Sequence, residues 1–363
     1  PEAKIMNGND FNAYYFSHAR TALKYGLISL NIREGSEIFI PDYICDVVLH
    51  PIEQLKLKPI FYPTLEDLTP EWDFLKNEIS LKTAAIIMVN FFGQPQEIER
   101  FTSMTKEKNI YLIEDNAHGY GGYYNKKLLG TYGDIGISSP RKFMDTASGG
   151  ILYTKKDLDL GNYNFEQLKI KKRSKVKDLI NKFPEFKREV SKLLNSRPAY
   201  EKQETFEEEP IGDYYIDKNS LDTILNKDIQ SFSEMRREKY FFWEKFCKER
   251  GFKPVFKSIH PEANPWCFPA YVPSQKEAIE LFDWGWENGV TIFSWPTLPM
   301  QMIGHVTSSY YSPNLGRSIA LALVKEGIKK KGLTIYAPMP KKTIEVEITN
   351  PVFIDPSNKR LNA

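Results

Sequence analysis

The sequence predicts an α/β protein built on a mostly parallel sheet with helices on both faces. Between residues 16 and 155, short apolar runs alternate with segments of helical spacing, which is the pattern of βαβ units. The run at 84–92 is almost continuously apolar, as a central parallel strand should be. We expect three parts: a large domain at 1–160, a smaller incomplete α+β domain at 161–301, and a short β-rich segment at 302–363.

The elements of the large domain follow one another at short intervals. Helices are predicted where apolar residues recur every three or four positions, and strands where apolar and β-branched residues cluster between turn signals. Ser17 is the candidate cap of the first helix. The predicted elements are a helix at 16–30, strands at 37–41 and 58–62, a helix at 45–55, a strand at 84–92, a helix from Glu97, and strands at 110–113 and 134–139.

The bulk composition is that of an ordinary globular enzyme. Of the 363 residues, 41% are hydrophobic and 26% are charged, which is enough apolar material for a large core. The net charge of +2 does not indicate nucleic acid or an anionic membrane as a partner. The three cysteines are far apart and lack metal-ligand spacing, so we expect free thiols, a reducing compartment such as the cytoplasm, and no metal site. Neither a signal peptide nor a long apolar span is evident.

Two of the predicted strands end in side chains that can carry out chemistry. The apolar run at 110–113 leads to Asp115, and the run at 134–139 leads to Lys142, which lies 27 residues beyond Asp115. Open α/β sheets bind their ligands at the carboxyl ends of the strands. We therefore expect the carboxylate and the amine to share one site.

A lysine and a carboxylate at neighbouring strand ends suit pyridoxal phosphate (PLP). That cofactor needs a lysine for a Schiff base, a carboxylate to keep its pyridine nitrogen protonated, and donors for its phosphate. Lys142, Asp115 and Ser139 provide one group for each need. At an effective dielectric near 20, an ion pair about 4 Å apart contributes roughly 4 kcal/mol, which is enough to hold that proton at neutral pH. On spacing alone, an unrelated strand-end acid and a surface lysine explain the same pattern.

The local sequence adds a resemblance. Three stretches are similar to the cofactor-binding region of the DegT family of sugar aminotransferases, which have the fold type I PLP architecture: EDNAHGYGG, LGTYGDIGISSPRK and SGG. The resemblance assigns the pyridine-nitrogen aspartate to Asp115, the Schiff-base lysine to Lys142, and the phosphate-binding serine to Ser139. It places His118 near the phenolic oxygen of the cofactor. Because the lysine is present, the dehydratases of the family, which have histidine in its place, are the poorer match.

The same resemblance assigns cofactor contacts in the first half of the chain. The turn that enters the first helix, with Arg20, Thr21 and Ala22, corresponds to a phosphate-binding helix N-terminus. Family members usually stack an aromatic side chain on the cofactor ring from the turn after the strand at 37–41. Here Cys45 stands at that place and Tyr43 lies two residues earlier, so the stacking residue stays open between them.

The second half is less regular. A basic run at 169–177 and a lysine-rich helix at 176–194 are interpreted as a solvated face or an insertion, with a groove for an anionic nucleotide-linked substrate as the alternative. A polar loop is expected at 197–210 and a long helix at 219–250, whose MRREKYFFWEKF resembles the arginine-pair helix of the family's small domain. Strands are expected at 264–269 and 288–299, with Trp295 as a possible lining of the substrate site.

From about residue 303 the family pattern stops. The tail resembles the carboxyl-terminal barrel of the aminomethyltransferase family, and most closely the end of the sarcosine oxidase α subunit. We expect a strand and turn in GHVTSSYYSPNLG, a helix in SIALALV and a half-buried strand in TIEVEIT. The residues that carry folate chemistry in that family lie mainly upstream of this segment. We therefore expect a passive appendage, natural or artificially joined, and not a second active site.

Together these features predict a PLP-dependent aminotransferase that moves an amino group, from glutamate by family analogy, to a nucleotide-linked keto sugar. Lys142 would act as general base, with Asp115 and His118 tuning the cofactor. The implied partners are a nucleotide sugar, an amino donor and a second copy in a homodimer. Two alternatives stay open: a non-catalytic scaffold that keeps the fold, and a folate-linked function of the sarcosine oxidase type carried by the tail.

Overall fold

The computed structural model describes residues 10–158, 160, 168, 213–293, 304–312, 316–324, 327–339 and 342–349. Four features predicted from the sequence lie outside the described residues: the basic run at 169–177, the helix at 176–194, the loop at 197–210 and Trp295. The chain divides into two compact units, Pro1–Pro299 and Met300–Ala363. No helix in the described part has both the length and the apolar character needed to cross a bilayer.

The first unit contains a seven-stranded sheet with the order β1-β9-β8-β5-β4-β2-β3. Every neighbouring pair is parallel except the two pairs made by β9, which runs antiparallel to β1 and β8. The prediction of a mostly parallel α/β sheet is confirmed. The strands and one small hairpin are β1 Phe11–Phe16, β2 Glu37–Pro41, β3 Lys58–Tyr62, β4 Thr83–Val89, β5 Tyr111–Asn116, β6 Tyr123–Tyr124, β7 Lys127–Leu128, β8 Ile135–Ser138 and β9 Gly150–Lys155.

Helices cover both faces of this sheet. Ile113 of β5 belongs to the apolar cluster that contains Leu23 and Ile52, whereas Leu112 belongs to the cluster that contains Phe101. Consecutive residues of β5 thus point into opposite layers, as the period of a strand requires. The helices of the unit are α1 Ala19–Ser29, α2 Leu49–Gln54, α3 Trp72–Glu78, α4 Ile98–Lys108, α5 Lys218–Asn226, α6 Ile229–Glu249 and α7 Gln275–Glu287.

Several predicted boundaries were wrong, each for a local reason. The first helix begins at Ala19 after β1, and its N-cap residue is His18 instead of Ser17. The predicted strand at 84–92 ends at Val89 because residues 91–93 form a 3-10 turn in which Phe92 has a φ of 54°. The predicted helix at 219–250 is broken in two, because the side chain of Asp228 accepts hydrogen bonds from two backbone N–H groups and starts α6 as its N-cap.

The predicted strands of the small domain are largely absent from the described residues. Residues 264–269 are irregular, and only the short strands β10 (Lys253–Pro254) and β11 (Ala270–Tyr271) pair nearby. Pro265 and Pro269 remove ladder donors from the predicted strand. The described part of the second predicted strand, 288–293, is a turn after α7 in which Gly289 has a φ of 74°.

The second unit contains two antiparallel ribbons. Strand β12 (Gly304–Ser312) pairs with β13 (Arg317–Val324), and β14 (Thr334–Met339) pairs with β15 (Lys342–Glu347). The expected strand in TIEVEIT is present in β15. The helix predicted in SIALALV is wrong, since β13 occupies it. Large and small side chains alternate there with a period of two, which favours a strand over a helix.

Candidate active site

Three strand ends bring the predicted site residues to one edge of the sheet. The register of β5 and β8 pairs Asp115 with Ile137, so the segments that carry Asp115 and Lys142 leave the sheet side by side. Strand β1 runs in the same direction as β8 because both are antiparallel to β9. The start of α1 therefore lies at this edge too, and a Cβ added at Gly150 would come within 2.1 Å of the His18 backbone.

Asp115 and Lys142 interact electrostatically in a poorly hydrated place. Asp115 is buried and accepts a hydrogen bond from the backbone N–H of Ala117 at 2.9 Å. Burial raises the pKa of its carboxyl, against the opposing effects of that hydrogen bond and of the Lys142 charge. Burial lowers the pKa of the Lys142 amine, and the Asp115 charge is the largest effect that raises it. Lys142 is thus unprotonated at a lower pH than an exposed lysine.

Lys142 owes its position to a short turn. Ser139 is buried and precedes a 3-10 turn over Pro140–Lys142, in which proline presets the backbone angle of the first residue. The N–H of Lys142 donates to the Ser139 carbonyl at 3.1 Å. The sequence therefore turns sharply straight after β8 and presents Lys142 near the strand end.

His118 is held as a neutral donor. Its Nδ1 accepts a hydrogen bond from the backbone N–H of Phe92 at 3.3 Å, which assigns the proton of the neutral ring to Nε2. Burial, followed by the Lys142 charge, lowers the pKa of the imidazole well below its usual range. His118 can therefore donate from Nε2 without carrying a positive charge.

Trp266 completes this side of the site and was missed by the sequence reasoning. Its ring stacks on His118 with centroids 4.6 Å apart, and His118 stacks on Phe92 at 5.7 Å. The Lys142 Nζ lies 5.0 Å from the Trp266 ring centroid. The available signal was a tryptophan in a proline-flanked, irregular segment, since loops carry binding residues more often than regular elements do.

Two thiols also face the amine. Cys45 and Cys267 both interact electrostatically with Lys142. Cys267 is accessible to water by surface area, yet surrounding protein raises the pKa of its thiol to about 12. Tyr43, the other candidate for the stacking position, packs edge-on against Phe91 with centroids 5.6 Å apart.

The first turn of α1 lies at the same sheet edge, but its side chains serve other contacts. Arg20 and Thr21 line a small polar pocket together with Lys24 and Asp213, which form an ion pair at 2.5 Å. Ala22 is fully buried in the core, and its N–H donates to the His18 carbonyl at 3.1 Å. What this turn offers to an anion is therefore its first N–H groups and the Arg20 side chain.

A hydroxyl and carboxylate cluster anchors the segment that follows Lys142. Ser148 Oγ donates to Asp217 Oδ2 at 2.5 Å, and the Asp217 N–H donates back to Ser148 Oγ at 3.0 Å. Ser220 donates to the same carboxylate from both Oγ and its backbone N–H. This cluster fixes the exit of the lysine turn against the start of α5.

The donor set of the site fits PLP. A carboxylate, an amine of lowered pKa and a neutral imidazole N–H lie at one sheet edge beside the thiol of Cys267, which is accessible to water. A helix N-terminus and a buried serine lie at the same edge. A protonated ring nitrogen would neutralise the negative charge of Asp115, and an anionic phenolic oxygen would accept a hydrogen bond from His118. The residues present thus match the charge pattern of that cofactor group for group.

Two parts of the chain match different protein families. Residues 10–164 match the DegT/DnrJ/EryC1/StrS aminotransferase family, and residues 285–355 match the glycine cleavage T-protein C-terminal barrel domain. The chain is 24% identical to GDP-perosamine synthase of Escherichia coli over 326 residues, which is 81% of this chain and 83% of that protein. It is also 24% identical to the GDP-perosamine synthase of Vibrio cholerae over 316 residues, 78% of this chain and 81% of that protein.

Solved structures show the same fold. The E. coli GDP-4-keto-6-deoxy-D-mannose-3-dehydratase with bound hydrated PLP superposes with a TM-score of 0.56 at 18% identity, covering 76% of this chain and 72% of the other. The Helicobacter pylori aminotransferase PseC, involved in the biosynthesis of pseudoaminic acid, gives a TM-score of 0.52 at 17% identity, covering 74% and 67%.

Proposed function

We propose that this chain, whose residues 10–164 belong to the DegT/DnrJ/EryC1/StrS aminotransferase family, is a PLP-dependent aminotransferase that acts on a nucleotide-linked keto sugar. The observation that carries the proposal is the placement of Lys142 and Asp115 at neighbouring strand ends, where the charge of each shifts the pKa of the other. The two GDP-perosamine synthases, similar over about four-fifths of the chain, support a nucleotide sugar as acceptor. Glutamate is proposed as the amino donor by family analogy.

When bound, PLP supplies an electron sink for the carbon that loses its proton. Lys142 would hold the cofactor through Nζ and later act as the base at that carbon. Its lowered pKa suits this role, because a larger share of the amine is unprotonated near neutral pH. Burial thus leaves more of the Lys142 amine in the unprotonated form that can accept a proton.

Asp115 would hold a positive charge at the ring nitrogen. Its pKa is raised by burial, so a cation placed beside the carboxyl favours the ionised form and is itself stabilised. His118 would donate from Nε2 to the phenolic oxygen, since Nδ1 already accepts from Phe92. Ser139, with the first turn of α1, would hold the phosphate.

Labelling with a reductant tests this proposal directly. The purified protein is mixed with PLP, treated with borohydride and digested, and the labelled peptide is identified by mass spectrometry. We expect the label on Lys142 and a visible absorption band that glutamate bleaches. Lys142→Ala should lose both, whereas Lys155→Ala, the matched control at the exposed end of β9, should keep both.

A label on another lysine would contradict the assignment. A protein that binds no PLP, or binds it without a response to glutamate in the presence of a keto sugar nucleotide, would contradict the proposed activity. The latter result would favour a scaffold that keeps the fold.

A further inference from the structure

Residues 263–267, called the strap below, cross the site and carry Trp266. The N–H of Trp266 donates to the Phe92 carbonyl at 3.0 Å, and the side chain of Asn264 donates to the Tyr120 carbonyl at 2.6 Å. A Cβ at Gly93 would come within 2.4 Å of the Asn264 carbonyl oxygen, so only glycine admits this approach. The strap is thus fitted closely against the turn after β4.

Two consecutive arginines of α6 hold the strap from its other side. Arg236 Nη1 donates to the carbonyls of Trp266 at 2.9 Å and Pro265 at 3.3 Å, and Arg237 Nη1 donates to the carbonyl of Ala263 at 3.1 Å. The Arg236 guanidinium also lies 4.7 Å from the ring centroid of Phe143, the residue directly after Lys142. One side chain therefore joins the strap to the turn that presents the amine.

The Trp266 ring lies beside the amine that this arrangement fixes. The Lys142 Nζ is 5.0 Å from its centroid, within the range in which an aromatic face attracts a cation. Stacking on His118 at 25° limits the rotation of the indole. The indole is therefore fixed both by the backbone hydrogen bond of Trp266 and by the stacking of its side chain on His118. A tryptophan that only fills space does not need both.

We propose that Trp266 is a positioning residue for the Lys142 amine, holding it opposite Asp115 by cation–π attraction, and that Arg236 fixes Trp266 in place. Its use in amino transfer rests on the proposed function, whereas the contact with the amine does not. Within the described part of the chain, the other charged or titratable groups that act on Lys142 are Asp115 of β5, His118 after it, the thiols of Cys45 and Cys267, and its neighbour Arg141.

The pKa of the Lys142 amine is the readout, measured in the protein without cofactor. Limited labelling with acetic anhydride over a range of pH, followed by mass spectrometry of the Lys142 peptide, gives that pKa. Trp266→Leu keeps an apolar side chain but removes the π face, so we expect the pKa to fall by about half a unit or more. Trp266→Ala admits water and should raise the pKa of the Lys142 amine, so the two variants are expected to shift that pKa in opposite directions.

Arg236→Met tests whether Arg236 fixes Trp266 in place. It removes both carbonyl hydrogen bonds, and we expect a shift in the direction of Trp266→Leu together with a change in tryptophan fluorescence. Trp284→Leu, a control in α7 whose ring stacks on Phe246 at 6.5 Å, should leave the amine pKa unchanged. Should Trp266→Leu fail to fold, Trp266→Phe retains a ring with a weaker cation–π attraction and should give a smaller fall.

Two results would overturn the inference. One is an unchanged amine pKa in folded Trp266→Leu or Trp266→Phe. The other is a rise in both Trp266→Leu and Trp266→Ala, which would make the ring only a shield from water. Neither readout needs bound PLP, so a failure of the proposed function, seen as borohydride labelling elsewhere, is distinguished from a failure of this inference.

Discussion

The two faces of the sheet at the end of β5 carry consecutive buried acids with different partners. Glu114 is fully buried, accepts from Asn90 Nδ2 at 2.8 Å and from the Tyr132 N–H at 2.7 Å, and lies in a polar network with Asn116. Asp115 accepts one backbone hydrogen bond and otherwise faces the Lys142 amine. Burial raises the pKa of both carboxyl groups.

The difference separates a structural acid from a candidate functional one. Glu114 has neutral, fixed donors that satisfy it within the fold and tie β4, β5 and the turn before β8 together. Asp115 has the Lys142 amine as its main counter-charge, and a buried group whose pKa is shifted by one specific charge partner is typical of functional sites. Substitution of each acid therefore should change a different property.

The largest effect is expected from Asp115→Asn. This change keeps the shape of the side chain and removes the charge proposed to hold the ring nitrogen protonated, which is worth roughly 4 kcal/mol, so the aminotransferase kcat should fall by about a thousandfold. The free energy of unfolding should not decrease, because burial disfavours the ionised form. Steady-state kinetics and urea denaturation measure the two properties. A kcat within tenfold of the parent protein would show that the two acids do not differ in this way.

Glu114→Gln should show the opposite pattern. The amide turns a donor toward either Asn90 or Tyr132 and should lower the free energy of unfolding by about 1–3 kcal/mol, while labelling of Lys142 by PLP persists. Since the folded-state pKa of Glu114 is raised, its titration stabilises the protein below about pH 4 and that contribution is lost as the pH rises. The difference in the free energy of unfolding between the parent protein and Glu114→Gln should therefore decrease as the pH rises, which urea denaturation at several pH values measures. An unchanged stability with lost labelling would reverse the two assignments.

The same pair predicts the pH dependence of the amine. Lys142 should titrate below the value of about 10.4 for an exposed lysine, because burial lowers its pKa. Asp115→Asn removes the largest opposing effect and should lower the pKa further, whereas Glu114→Gln, on the other face, should leave it unchanged. Labelling of the Lys142 peptide as a function of pH distinguishes the variants, and an equal shift in both would contradict the separation of the faces.

The smallest effect is expected from His118→Gln. A glutamine can keep an acceptor for the Phe92 N–H and a donor toward the cleft, so the kcat should fall less than tenfold. His118→Leu, which keeps neither group, provides the contrast and should lose more. Equal losses in both would show that ring stacking with Trp266, and not hydrogen bonding, is what His118 contributes.

The sheet, and the placement of Asp115 and Lys142 at one edge of it, could be predicted from the sequence, because strand periodicity and the strand-end rule depend on local spacing. The position of Trp266 was not accessible, since it depends on Arg236, thirty residues earlier, and on the absence of a side chain at Gly93. The helix predicted in SIALALV is wrong because seven mostly apolar residues are too few to show a helical repeat, whereas their alternation of large and small side chains already fits a strand. The break in the helix at 219–250 required recognising Asp228 as a cap within an apparently continuous pattern.

The cluster of Ser148, Asp217 and Ser220 has a consequence for how this architecture can diverge. Tyr215 forms a bridge with Phe16, and the Ser17 N–H donates to the Tyr214 carbonyl at 3.0 Å, so residues 214–215 lie beside the Phe16 end of β1, whereas the chain leaves β9 beside the Phe11 end. Because Ser148, Asp217 and Ser220 brace the exit of the lysine turn from outside the sheet, we expect changes at residues 217–220 to move that turn while the strand register is kept.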